Sequence, residues 1–216
     1  MILSVDTTSE FGSIALTDGD RTVEETQLHS PDGFGHILFQ SIEELLARQN
    51  LNVHQMDCFA AASGPGSFTG VRVGLAAVKG LAEATGRRVV AVSNLRALAF
   101  FGTARLRATL LDARRGEVYG AVYDDRLEIV APEVVVPFPA WLKTLPGCRF
   151  EFIATDFSPF RSSVDPGIPV ITAPRVLAGA IGRIAFTEYQ RGRASDPAEI
   201  DANYVRRSDA ELFWKD

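Results

Sequence analysis

The sequence predicts an α/β fold assembled from two similar units, and three observations carry that reading. Short apolar stretches at strand spacing alternate with longer stretches at helical spacing, the arrangement of a sheet covered by helices. Strands followed by strand-and-helix occur twice along the chain, which indicates a duplicated architecture rather than one sheet. Between the apolar run Cys58–Ala62 and the helix after it lies Ser63-Gly64-Pro65-Gly66, a turn signal that no regular element absorbs.

Ile2–Asp6 reads as a buried strand, Gly12–Thr17 as a second, and Thr22–Leu28 as its return after the Asp18-Gly19-Asp20 turn. Gly35–Asn50 is amphipathic, with Leu38, Ile42, Leu45 and Leu46 on one face and Glu43, Glu44 and Arg48 on the other. Cys58–Ala62 is a short strand, and Phe68–Thr85 a helix whose first amides Ser67 or Thr69 can cap. Along that helix Gly70, Gly74, Ala77, Leu81 and Ala84 recur three and four residues apart. An interior glycine costs a helix roughly 1 kcal/mol relative to alanine, so two on one face indicate another backbone lying close to it. Val89–Val92 adds a strand, and Asn94–Phe101 a short helix that Gly102 ends.

The pattern restarts near Arg107. Ala108–Ala113 and Glu117–Tyr123 form a hairpin turning at Arg114-Arg115-Gly116, and Glu128–Val136 adds a strand before the break at Pro137 and Pro139. Pro139–Leu145 is a short helix and Arg149–Thr155 a strand. Ala173–Arg191 is a longer helix with Val176, Leu177, Ala180, Ile181 and Ile184 inward. The tail Ala198–Trp214 has room to reach back across the first unit. The division expected is therefore 1–103 with 196–216 as one lobe, and 104–195 as a second, smaller one.

The 216 residues include 46% hydrophobic and 23% charged, ordinary for a globular protein with a proper core. With 22 basic and 27 acidic residues the net charge is −5, so no global field attracts nucleic acid. The pairs Arg87-Arg88, Arg105/Arg107, Arg114-Arg115 and Arg206-Arg207 read as solvated turn and strand ends. Cys58 and Cys148 have no metal-binding spacing and fit reduced thiols. Met1–Asp6 meets a carboxylate within its first turn of sequence, reading as neither signal peptide nor anchor, and no apolar run reaches ~18 residues. The expectation is a cytoplasmic protein with no membrane contact.

A Walker A loop needs Lys-Ser/Thr after its last glycine, whereas Gly70 is followed by Val71-Arg72; Gly64, Gly66 and Gly70 also miss the G-x-G-x-x-G spacing. His29, His36 and His54 form no i, i+4 pair for zinc, and no G-x-S-x-G elbow or Cys–His pairing is present. Asp6 ends the first strand and is followed by Thr7-Thr8, while Asp112 ends the first strand of the second unit. Two such aspartates suit either a magnesium–nucleotide clamp or two turns closed by Asx hydrogen bonds. Both readings stand on the residues alone.

Taken together, four blocks resemble the TsaB (YeaZ) family, subunits of the bacterial machinery for the tRNA modification N6-threonylcarbamoyladenosine. They are Asp6-Thr7-Thr8, the run Ser63 to Gly74, Leu111-Asp112-Ala113-Arg114 with Gly116-Glu117-Val118-Tyr119, and Tyr204-Val205-Arg206. The resemblance covers essentially the full length. It implies an actin-like fold of the sugar-kinase, Hsp70 and RNase H-like kind, with two duplicated lobes, and a subunit that is not itself catalytic. It implies a heterodimer with the paralogue TsaD, a third component TsaE, tRNA reached only through the complex, and a homodimer when the chain is alone. No cofactor or metal is implied on this chain; ATP and metal belong to the partners. TsaD-type proteins carry H-x-x-x-H on their first helix, where this chain offers only His36.

In that family the interface is a bundle made from the first two helices of each partner. Carried onto this sequence, it implies contacts at Ile37, Leu38, Ser41, Glu44 and Leu45, and at Gly70, Val71, Val73, Gly74, Ala77, Val78 and Leu81. Gly64, Pro65, Gly66 and Ser67 would set the angle of the second helix, and Gly74→Leu is expected to abolish docking while leaving the fold intact. Asp6, Thr7, Thr8 and Asp112 are the residual nucleotide candidates. Two departures from the family weigh against ATP here: Gly33 stands where relatives carry a histidine, and Ala154-Thr155-Asp156-Phe157 lacks a glycine turn. The alternatives are an independent actin-fold ATPase or kinase using Asp6 and Asp112, or a glycoprotease-like peptidase, for which ligands and nucleophile are missing.

Overall fold

The computed structural model describes residues 1–205, which form two compact units, each with a five-stranded sheet. The first unit comprises Met1–Ala97 and Pro174–Ala202; the second begins at Leu98, runs to Ala173 and takes the chain again from Asn203.

In the first unit β1 (Ile2–Asp6), β2 (Phe11–Asp18) and β3 (Arg21–His29) form the antiparallel meander. On the other side of β1, β4 (Cys58–Ala62) and β5 (Arg88–Val92) run parallel to it, giving the order β3-β2-β1-β4-β5. The two faces of this sheet differ in chemistry. Leu3 and Val5, Ile14 and Leu16, and Phe59 and Ala61 point into one core with α1 (Leu38–Arg48) and α2 (Phe68–Thr85). Their neighbours Ser4, Ser13 and Thr17 point the other way, where α5 (Ala178–Gln190) lies.

That second face is small and polar, so the helix sits very close to the strands. A Cβ on Gly182 would come within 2.7 Å of Thr17 Cγ2 and 2.9 Å of Ser4 Oγ. The sheet also caps the helix: Ser13 Oγ accepts the Leu177 and Ala178 amides (3.2 and 3.0 Å) and Glu25 Oε1 the Gly179 amide (2.8 Å). These bonds fix the start of α5 at Ala178 rather than at Ala173. They also correct its assignment, because the segment 174–195, read from sequence as part of the second unit, belongs to the first. Covalent order suggested the wrong sheet; the serine and glycine spacing chose the right one.

α3 (Asn94–Ala99) leads into the second unit. There β6 (Leu106–Arg114), β7 (Glu117–Asp124), β8 (Ile129–Pro137), β9 (Glu151–Ala154) and β10 (Val170–Thr172) take the order β10-β9-β6-β7-β8. Read from β8, that is the order of the first sheet, with the same two antiparallel and two parallel pairings. The duplication is therefore real at the level of topology. β6 and β7 turn through Arg115-Gly116, with φ of 56° and 75°, the left-handed pair that a two-residue hairpin requires. Short α4 (Phe138–Leu142) brings Phe138 and Trp141 onto Phe152, Phe157 and Phe160, ring centroids 4.6–6.3 Å apart, in an aromatic core. Gly120 of β7 leaves room for Trp141 to lie on the sheet. The strand β10 has no counterpart in the sequence reading, being three residues between proline-rich turns.

Of the expected tail, Ala198–Ala202 belongs to the first unit, with Ile200 buried in its core. Residues 206–214, including Arg206 and the Arg206-Arg207 pair, lie outside the described residues. Among the described residues no helix is long and apolar enough to cross a membrane.

Candidate functional site

The loop after β1, the start of α2 and the start of α3 meet in a knot of hydrogen bonds at the glycine turn. Asp6 is 1% exposed, and its Oδ1 accepts both the Thr8 amide (2.9 Å) and the Thr8 hydroxyl (2.6 Å). Asn94 at the start of α3 donates from Nδ2 to Thr8 Oγ1 (2.7 Å) and accepts the Gly64 amide at Oδ1 (3.0 Å), while Gly64 O accepts the Asn94 amide (2.9 Å). The Ser67 amide donates to Thr8 O (2.7 Å), Thr7 Oγ1 donates to Gly70 O (2.7 Å), and Ser67 Oγ caps the Gly70 amide (3.2 Å). The Gly64–Pro65 peptide is cis.

Four glycines make this knot possible. A Cβ on Gly66 would stand 2.5 Å from Thr8 O and one on Gly74 2.7 Å from Thr7 Oγ1; on Gly12 it would meet Phe34 at 2.8 Å and Asp6 O at 2.9 Å. On Gly70 it would fall onto the Thr7 carbonyl oxygen. The backbone that the glycine stripe admits is therefore the chain's own β1–β2 loop. This corrects the reading that gave Gly70 and Gly74 to a partner. Gly74→Leu is now expected to damage the fold itself.

The same geometry bears on a nucleotide, which an actin-like fold would be expected to hold. The Thr7 hydroxyl, the Thr8 hydroxyl and the Thr8 carbonyl all have partners within the chain, and the first turn of α2 occupies the space beside them. This loop does not fit a phosphate. Asp112 lies in β6 of the second unit, where its Oδ1 accepts the Arg114 amide (2.7 Å) and its Oδ2 lies 3.6 Å from the Arg114 guanidinium. Among the described residues no three histidine, cysteine or carboxylate side chains converge to hold a metal.

Burial pushes the Asp6 carboxyl above its ordinary value of 3.8, and the two Thr8 hydrogen bonds and Asn94 only partly oppose this. The folded protein thus binds a proton more readily at Asp6 than the unfolded chain does. Stability linked to Asp6 is complete below the ordinary value and falls as pH rises through the raised one. Asp6→Asn, which keeps an acceptor for Thr8, should gain on the wild type between about pH 3 and about pH 7 in urea unfolding. An advantage that does not change with pH would contradict this account of the carboxyl.

Of the residues assigned to the partner interface by resemblance, Leu38, Leu45, Gly70, Val71, Gly74, Ala77 and Val78 are buried in the chain's own core. Ile37, Ser41, Val73 and Leu81 are half-buried and Glu44 is exposed. One step around the helix, the solvent side of α2 carries a strip of small residues, exposed Thr69, Ala76, Gly80 and Ala84 with half-buried Val73, alongside the exposed Arg72 and Glu83. A Cβ on Gly80 would meet nothing within 4 Å. Phe68 flanks the strip, 42% exposed beneath the Arg72 guanidinium (3.6 Å to the ring centroid), and Phe39 of α1 is 55% exposed. Sequence reasoning stopped at the stripe with two glycines. The second strip was legible in the same heptad-like spacing, but only burial tells the two apart.

A family model described as TsaD, tRNA N6-adenosine threonylcarbamoyltransferase, matches residues 33–156, a segment that contains α1 and α2. The tRNA threonylcarbamoyladenosine biosynthesis protein TsaB of Haemophilus influenzae is 37% identical over 233 aligned positions, covering 99% of this chain and 95% of that protein. The TsaB protein of Bacillus subtilis is 32% identical, with 99% and 97% covered. Among solved structures, YeaZ from Pseudomonas aeruginosa superposes with a TM-score of 0.79 over 94% of this chain and 98% of its own, at 24% identity. That likeness shows the fold, a duplicated two-lobe architecture of the actin-like kind.

Proposed function

The chain belongs to the TsaB family of tRNA threonylcarbamoyladenosine biosynthesis proteins, and from that premise we propose that it is a docking subunit that carries out no chemistry itself. The observation that carries the reading is the strip of exposed Thr69, Ala76, Gly80 and Ala84 with half-buried Val73 on α2, beside the exposed ring of Phe68. Small side chains let a second helix approach closely, and an exposed aromatic ring beside them supplies apolar area that burial stabilises. A stable complex of this kind buries on the order of 1,600 Å² in total. The partner is the TsaD-type paralogue, presenting its own first two helices. ATP and metal belong to that partner and to a TsaE-type ATPase, and tRNA is reached through the assembled complex. Without the paralogue, the same face pairs two copies of this chain.

Support for the non-catalytic part comes from the β1–β2 loop, whose hydroxyls bond within the chain: Thr7 to Gly70 of α2, Thr8 to Asp6 and Asn94, and Ser9 to Phe11. The glycine turn then has a mechanical role. Through Asn94 and Thr8 it fixes the entry angle of α2, and with it the direction in which the exposed strip faces. Size-exclusion chromatography of the chain mixed with the TsaD-type paralogue should give one co-eluting species, and calorimetry of the chain alone should detect no heat with Mg–ATP. Separate elution, or micromolar nucleotide binding by the isolated chain, would overturn the proposal.

A further inference from the structure

We infer that the C-terminal segment 206–216, which lies outside the described residues, docks on the outer face of the second sheet and completes that unit's core. The duplicated topology points to the gap. In the first unit both faces of the sheet carry helices, α1 with α2 on one and α5 on the other. In the second, Phe138 and Trp141 of α4 cover the face that presents Leu110, Val118 and Val122. The helix that follows β10 along the chain is α5, and it lies on the first sheet. The helix that chain order would place on the outer face of the second sheet is thus used by the first.

Strand alternation and register define that outer face. Leu111, Tyr119 and Val135 stand in one row across β6, β7 and β8, and Arg107, Tyr123 and Ile129 in another. Segment 98–104 covers the Arg107 end: Arg107 Nη1 donates to Ala99 O (3.0 Å), and a Cβ on Gly102 would meet Ile153 Cδ1 at 2.5 Å. Toward β8 the face opens. Leu111, Tyr119 and Val135 are half-buried, and Ile129 is 57% exposed.

The chain brings its own end to this place. Asn203, where the second unit takes the chain again, donates from Nδ2 to Glu133 Oε2 (2.6 Å), and the Tyr123 hydroxyl donates to Glu133 Oε1 (2.7 Å). Along β8, Val135 is two residues from that anchor and Ile129 four, about 7 and 13 Å. Leu212 is nine residues beyond Asn203, a length of chain that spans up to roughly 30 Å. The segment begins with Arg206-Arg207, opposite in sign to Glu117 and Glu133 on this face, and carries one apolar run, Leu212-Phe213-Trp214. Its two aromatic rings can bury about 150–250 Å² each. A second copy adding its own strand is the poorer occupant. Pro132 and Pro137 have no amide to offer along the edge of β8, and the register with β7 slips beside Pro132-Glu133. A segment laid across the face needs no edge. The inference concerns the chain alone and stands whether or not the α2 strip docks a paralogue.

Acrylamide quenching of tryptophan fluorescence in the full chain tests it. The two tryptophans are Trp141, buried in the aromatic core, and Trp214, so subtracting the signal of Trp214→Phe isolates the second. Trp214 should be quenched several-fold less than free tryptophan, and equally at low and high micromolar protein. Val135→Asp should raise its quenching to the level of the free amino acid. Ile129→Asp should do the same, and its exposed position leaves the fold intact if Val135→Asp melts early. Tyr189→Asp, on α5 of the first unit, should leave the quenching as in wild type. Trp214 as open as free tryptophan in the wild-type chain, or indifferent to both β8 aspartates, would overturn the inference. Shielding that rises with protein concentration would overturn it too, because a second copy would then be the cover.

Discussion

Gly70→Val is expected to lower the melting temperature of the isolated chain by about 6–12 °C, the shift that a loss of about 3 kcal/mol produces in a protein of this size. The added Cβ falls onto the Thr7 carbonyl oxygen, a backbone atom with no rotamer to escape through. Thr7 cannot retreat freely, because its hydroxyl donates to Gly70 O (2.7 Å) and the next residue accepts the Ser67 amide (2.7 Å). Accommodation must therefore break the α2 N-terminus or displace β1, both of which belong to the core containing Val5, Val71 and Val78. Circular dichroism during heating provides the measurement. A melting point within about 2 °C of wild type would show that the contact between α2 and the β1–β2 loop is loose, and with it the account of the glycine turn would fail.

Much of this fold was legible in the sequence because the signals were local. The Phe68–Thr85 helix was readable from Ser67 and the proline–glycine turn before it, and the strand Cys58–Ala62 from its unbroken apolar run. The placement of α5 was not legible. Its amphipathic pattern says that it covers a sheet without saying which one, and the deciding partners, Ser4, Ser13 and Glu25, lie more than 150 residues away. The glycine stripe failed for a related reason. Sequence announces that some backbone approaches Gly70 and Gly74, yet the approaching residue, Thr7, is distant in the chain and was itself assigned to phosphate chemistry.

The second large effect is expected on the solvent side of the same helix. Gly80→Arg should weaken association with the TsaD-type paralogue at least 100-fold, because a long charged side chain would stand where a neighbouring backbone must approach and would lose its hydration there. It should not harm the fold. With nothing within 4 Å of the Gly80 Cβ position and arginine a better helix former than glycine, the variant should gain about 0.5–1 kcal/mol. Gly70 and Gly80 then act as opposites on one helix, the first needed by the chain and the second by its partner.

The dissociation constant of Gly80→Arg with the purified paralogue, measured by titration calorimetry beside its melting temperature, tests the docking claim most directly. The account predicts a loss of at least two orders of magnitude in affinity with a melting point equal to or above wild type. Undiminished affinity in a folded variant would mean that the exposed strip of α2 is not where the complex forms.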